Sequence, residues 1–422
     1  MVKRFLLGAV ILALIGAGIL FWKGGRLDHT PRALSDEALN DPAWIERGAY
    51  LARLGNCSSC HSTPGKAPFA GGEPMATTFG VFFGPNITPD PEAGIGAWSA
   101  DDFWQALNNG KGKDGQWLYP TFPYTSYARL SREDVDALFA YLRTVPADAT
   151  PNVPHALNFP FNQRWLLRGW RALYFNPVGY RLEGEVGAEQ LGKHLVDGLT
   201  HCVECHTPRN RLGALDPRRN LQGATMPTGW YAPPLTGDRT VGLGNWTEED
   251  IVVLLKTGVN QHSHVAGPMA EVVLGGMQYA QEGDLYAIAR YLKSLPSAGL
   301  DTARTGPAAE TALLEQGRQI YTQQCASCHG DAGQGDPPAW PPLAGNISVV
   351  APDPHNTIRL VLQGGFAPAT SGNPQPHGMP PFGPFLNDQD IAAVVTYVRQ
   401  SWGNRAGSVS LPMVRRVREQ AR

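Results

Sequence analysis

All six cysteines of this 422-residue chain fall in three pentapeptides of one form: Cys57-Ser-Ser-Cys60-His61, Cys202-Val-Glu-Cys205-His206 and Cys325-Ala-Ser-Cys328-His329. Two thiols at this spacing reach the two vinyl groups of one porphyrin and form thioethers, while the adjoining imidazole reaches the iron. Each pentapeptide therefore carries the pattern of covalent c-type haem attachment. An isolated Cys-x-x-Cys pair is as readily half a zinc site, a redox disulfide or two buried thiols. Neither zinc nor dithiol chemistry requires a histidine after every pair, and here it follows all three.

The pentapeptides begin at positions 57, 202 and 325, a spacing that suits about three domains in a chain of this length. With 35 basic and 37 acidic residues the balance offers nothing for nucleic acid. Glycine and proline (48 and 36 residues) are abundant and only 17% of residues are charged. That composition suits small, loop-rich domains wrapped around a large apolar cofactor, which supplies core area that short helices cannot.

A repeat runs through the chain. A helical pattern precedes each cysteine pair, over Asp41 to Gly55, Ala188 to Gly198 and Thr311 to Gln323. A second helix closes each repeat, from Ser131, Gln281 and Asn387, where polar or acidic residues open the segment and apolar ones recur every three or four positions. Between them lies a shorter helix that stops at Gly110, Gly258 or Gly364, expected as left-handed caps.

Phe5 to Trp22 is an uncharged run of 18 residues, near the length that crosses a bilayer and longer than an ordinary signal-peptide core. It is expected to be an uncleaved signal anchor. Because c-type attachment takes place outside the bacterial cytoplasm, the remainder is expected on the periplasmic side of the inner membrane.

Helix, Cys-x-x-Cys-His, proline-rich loop, short helix, methionine loop and terminal helix together resemble the class I cytochrome c domain, in triplicate. The whole chain after the anchor resembles the triheme cytochrome c subunit of membrane-bound bacterial alcohol and aldehyde dehydrogenases. Asn86-Ile-Thr-Pro-Asp-Pro, Leu118-Tyr-Pro, Cys205-His-Thr-Pro-Arg-Asn, Gly267-Pro-Met-Ala-Glu-Val-Val and Ser401-Trp-Gly-Asn carry that likeness. The expected fold is mainly α: one N-terminal transmembrane helix (1–26), then cytochrome c domains over 35–150, 185–297 and 310–404. An aromatic linker (151–184) and a basic tail (405–422) complete it.

The resemblance implies three covalently bound haem c groups, on Cys57 and Cys60, Cys202 and Cys205, and Cys325 and Cys328. Their irons are ligated by His61, His206 and His329. It also implies a loop proline whose carbonyl accepts the proximal imidazole's N–H. Pro85, Pro234 and Pro342 fit that place, and counting onward reaches Met269 and Met379 as sixth ligands, with Met277 as the fallback for the second haem. In the first repeat the count lands on Phe122, which cannot ligate iron. Met75, His155 or no protein ligand remain for that haem.

Two segments have two readings each. Phe159 to Phe175, aromatic and basic, is either a membrane, partner or quinone surface or a helix packed between modules. The tail from Val409 is either amphipathic and lipid-touching or frayed and solvated. No dinucleotide fingerprint is present, nor further cysteines for an iron–sulfur cluster. The expected role is electron transfer from a catalytic dehydrogenase subunit of molybdopterin, flavin or PQQ type, with a small iron–sulfur or accessory subunit, to ubiquinone or a terminal oxidase. A free-standing multihaem carrier and, with a five-coordinate first haem, a peroxidase-like enzyme are the competing classes.

Overall fold

The computed structural model describes residues 15–16, 18–27, 36–176, 186–301 and 309–420. The chain packs as two compact units, one of residues 1–186 with 197–201 and 209–214, the other of residues 187–196, 202–208 and 215–422.

In the first unit, α1 (Pro42–Leu54) starts from Asp41, whose side chain accepts the Ala43 N–H. It leads into α2 (Cys57–His61) through Gly55 and Asn56, the latter left-handed at φ 50°. A hairpin of β1 (Pro74–Thr77) and β2 (Gly80–Phe83) follows. Helix α3 (Ala100–Asn109) has a reciprocal Ser99/Asp102 cap and ends at Gly110, which is left-handed. Helix α4 (Arg132–Leu142), capped by Ser131, closes the module. Helices α1 and α4 cross where Gly48 meets the Ala137 carbonyl; a Cβ there would stand 1.9 Å from that oxygen.

The linker belongs to this unit. Ala156–Leu157 (β3) pairs with β2 as a third antiparallel strand. Helix α5 (Leu167–Tyr174) buries Leu167, Arg171 and Ala172 and leaves Leu173 exposed, as is Trp165 in the turn before it. Arg171 lies over the rings of Trp117, Tyr124 and Phe175 and donates from Nε to the Gly24 carbonyl at 3.0 Å. The packed reading of the linker therefore holds for one face, and its other face stays apolar and open.

The second unit carries two further repeats. The first has α6 (Ala188–His194), α7 (Val203–His206), a hairpin of β4 (Ala224–Thr225) and β5 (Tyr231–Ala232), α8 (Glu248–Thr257), α9 (Pro268–Gly275) and α10 (Glu282–Ser294). The next has α11 (Thr311–Gln324), α12 (Ala326–His329), α13 (His355–Gln363), the two-stranded β6 (Gly365–Phe366) and β7 (Gly378–Met379), and α14 (Asp388–Gln400). Thr247 with Asp250 and Asn387 with Asp390 repeat the reciprocal cap. Gly192 against the Ala287 carbonyl and Gly317 against the Ala393 carbonyl repeat the helix crossing. All three crossing glycines are followed by a tyrosine on the partner helix, Tyr141, Tyr291 and Tyr397, whose Cβ faces the same spot.

Three expectations change. Gly364 has a positive φ of 71° but ψ of −166°, so it is not a left-handed cap; a Cβ there would lie 2.3 Å from the Met379 carbonyl, and the glycine admits that strand. The tail is neither frayed nor solvated: α15 (Leu411–Gln420) buries Val414 and Val417, and Arg418 donates to Asp388 and to the carbonyls of Gly383 and Leu386. The Ala/Gly/Thr-rich segment from Ser297 to Glu310, expected from its composition as a simple tether, begins docked, with Ser297, Ala298 and Leu300 all donating to Asp238. Residues 1–14 and 17 of the expected anchor lie outside the described residues. Among those described, no helix is long and apolar enough to cross a membrane.

Candidate functional site

Each pentapeptide folds as a short helical turn whose histidine is locked by one carbonyl. His61 Nδ1 lies 2.8 Å from the Pro85 oxygen, His206 Nδ1 2.7 Å from that of Pro233 and His329 Nδ1 3.0 Å from that of Pro341. A carbonyl only accepts, so Nδ1 carries the proton in all three and Nε2 presents its lone pair. Burial lowers the pKa of each imidazole, against the opposing carbonyl bond, and favours the neutral ring that ligates a metal.

Pro85 is the residue expected from sequence, whereas the other two carbonyls come one residue earlier than expected. Pro234 and Pro342 each follow the bonding proline, and a residue before proline is held extended. They thus aim the carbonyls of Pro233 and Pro341 without donating their own.

A buried polar side chain pins each proline loop to the chain beyond the terminal helix. Asn86 donates to the carbonyls of Asp148 and Thr150, Asp238 takes its bonds from Ser297, Ala298 and Leu300, and Asn404 joins Gly345 N–H and the Leu343 carbonyl. Sequence reading quoted Asn86 and the Ser401-Trp-Gly-Asn run as motifs and did not reach this role. It also passed over the three crossing glycines.

The cysteine chemistry favours thioether formation over thiolate function. Burial pushes the Cys57 thiol up to about 12 and that of Cys325 up to about 11, well away from the depressed range of zinc or redox thiols. Among the described residues no group of three or more His, Cys, Asp or Glu side chains converges as a metal site. Cys60, Cys205 and Cys328 stand exposed and Cys57, Cys202 and Cys325 half-buried, so each pair is open on the side of its histidine turn. The donor set fits haem.

Met379 sits in β7 paired with Gly365, and Met269 at the first turn of α9. Both are half-buried. Met277 instead lies in the core at 3% exposure and is occupied by packing. From the bonding prolines, Met269 and Met379 are 36 and 38 residues on, and Phe122 is 37 residues beyond Pro85. Met75 pairs with Phe82 across the hairpin and packs against Tyr119 and Leu167. His155 accepts the Phe83 N–H at 3.2 Å through Nδ1 and packs on Phe82 and Tyr119.

The cytochrome c family model matches residues 45–146 and 314–402, the first and third repeats. Over 400 residues the chain is 38% identical to the cytochrome c subunit of a quinone-type alcohol dehydrogenase from Gluconobacter oxydans, covering 90% of this chain and 83% of that one. The chain belongs to the family of dehydrogenase cytochrome c subunits. It is also 40% identical to the gluconate 2-dehydrogenase cytochrome c subunit of Pantoea cypripedii, over 89% of each chain. With the fructose dehydrogenase cytochrome subunit of Gluconobacter japonicus the identity is 34%, over 95% of this chain and 87% of that one. The protein is thus an electron-transfer cytochrome subunit of a dehydrogenase complex, of a family that binds haem c covalently. The middle repeat, which the family model does not match, has the same histidine lock as the other two.

Proposed function

We propose that this cytochrome subunit carries three haems, one on each pentapeptide, and relays electrons from a catalytic alcohol or aldehyde dehydrogenase subunit to ubiquinone or a terminal oxidase. The threefold repetition of the Nδ1-to-proline lock supports the count: three turns hold a neutral imidazole in the same tautomer beside two cysteines. Haem supplies the one-electron couple. His61, His206 and His329 hold the proximal positions, and Met269 and Met379 offer thioethers that raise the potential of the second and third sites.

The N-terminal apolar run is the proposed anchor, placing the modules in the periplasm against the inner membrane. The open aromatic face of α5 lies beside its exit, where Arg171 bonds Gly24, and supports contact with the membrane surface. Gly364 to Thr370 and Gly378 to Pro381 build the loop around Met379. They report on the haem site, and the partner's cofactor class of molybdopterin, flavin or PQQ type decides the substrate.

The test is detergent extraction of the full chain followed by intact mass and a pyridine haemochrome assay. Three haems and a co-purifying catalytic subunit are the expected result. Two haems would refute the count, and a monomer with no dehydrogenase attached would favour the free-standing carrier.

A further inference from the structure

The first module departs from the other two at one position. Phe122 falls between the spacings of Met269 and Met379 from their bonding prolines, in a loop that leaves Gly110 as the methionine loops leave Gly258 and Gly364. The backbone likeness supports the alignment. Lys111 bridges Trp117 after Gly110, Val259 bridges His264 after Gly258, and Gly365 pairs with Met379 after Gly364. Phe122 is half-buried like both methionines, and its ring packs on Tyr127 at 5.4 Å between centroids, beside Leu118, Tyr124 and Trp170. This is an aromatic wall, and Phe122 itself has no lone pair for iron.

Among the described residues of this unit, Met75, His155 and His201 are engaged elsewhere. Met75 is held in the β1 to β2 hairpin and its cluster. His155 uses Nδ1 to accept a backbone N–H and is flanked by two rings. His201 stacks edge-on with Tyr127, and its Nε2 lies 3.3 Å from the Gly55 carbonyl, next to the pentapeptide. A ligating role for any of the three would break a contact that the fold makes.

We infer that the first haem site is an open coordination site, in which Phe122 replaces a ligand and leaves the iron able to bind a small neutral diatomic such as CO or NO. This rests on the haem reading of Cys57 to His61. CO coordinates ferrous iron through its carbon lone pair, so no bond in the protein is broken and no electron is transferred. Lacking a thioether, this site also has the lowest potential of the three.

The experiment uses the full-length, haem-loaded protein in detergent, reduced with dithionite and titrated with CO. One haem in three binds CO, and the oxidised protein shows one high-spin ferric signal. In Phe122→Met the CO-binding fraction falls from one third to none, and a third long-wavelength methionine–iron band appears. Protein with three attached haems and no CO binding overturns the inference while leaving the haem count intact. Fewer than three haems by mass strikes at the proposed function instead. CO binding that appears only in Met75→Leu, His155→Ala or His201→Ala identifies that residue as the ligand and also overturns it. The wild-type titration decides the matter even if Phe122→Met does not mature.

Discussion

Asn356 holds Tyr231 by both of its backbone groups, accepting the Tyr231 N–H at 2.8 Å and donating to the Tyr231 carbonyl at 2.7 Å. This two-point clamp joins the hairpin of the second repeat to α13 of the third. Thr225 to Asp353 at 2.6 Å and Arg359 over the Trp230 ring at 5.1 Å flank it. Replacing Asn356 by Ala leaves two buried backbone groups unpaired, at about 1–3 kcal/mol for each such group. Thermal unfolding of the haem-loaded protein checks this: Asn356→Ala lowers the Tm of the second unit by several degrees. Asn356→Asp, which keeps only the acceptor, falls between.

Met269 and Met277 separate by burial. Met269→Leu removes one of the two methionine–iron bands expected for the second and third sites and lowers one midpoint potential. Met277 is a core residue, so Met277→Leu leaves the spectrum unchanged and costs less than about 1.5 kcal/mol, as a volume-conserving exchange. Absorption spectra of both variants at equal haem content make the comparison; loss of a band in Met277→Leu would reverse the ligand assignment.

Asp238 ties the second proline loop to the chain after α10. Burial raises its pKa, but hydrogen bonds from Thr236, Ala298, Ser297 and Leu300 outweigh this and bring it to about 2. The folded value lies below the unfolded one, so the stabilisation is complete above about pH 4 and is lost as pH falls toward 2. It amounts to about 2 kcal/mol at neutral pH. Asp238→Asn loses that stability at neutral pH and shows a flatter dependence of unfolding midpoint on pH between 4 and 2. Equal slopes for the two proteins would contradict the assignment.

The closing helix α15 is part of the third module's core. Val414 and Val417 are fully buried, and Arg418 satisfies one carboxylate and two carbonyls. Val414→Ala destabilises by about 2 kcal/mol through lost burial and the cavity left behind. Limited proteolysis reads the effect as earlier cleavage after residue 409. Unchanged cleavage would mean that the helix contributes no packing.

The pentapeptides, the terminal helices and the glycine stops were legible in the chain because each depends on residues within one or two turns of one another. The same holds for the anomaly at Phe122, which is a count from a fixed point. The bonding prolines were legible only to within one residue, since Pro233-Pro234 and Pro341-Pro342 differ in carbonyl direction, which the following ring sets in three dimensions.

Tertiary structure decided what joins segments distant in the chain. Gly48, Gly192 and Gly317 mattered only once a helix distant in the chain pressed the carbonyl of Ala137, Ala287 or Ala393 against them. The basic tail reads as solvated by composition, yet Val414 and Val417 find a core and Arg418 finds Asp388, because burial of two valines and a satisfied cation outweighs the entropy of a free end. By itself the sequence determined the pattern of six cysteines and three histidines, because their spacing within each pentapeptide is purely local. Packing decided which carbonyl orients each histidine and which methionine stays in the core.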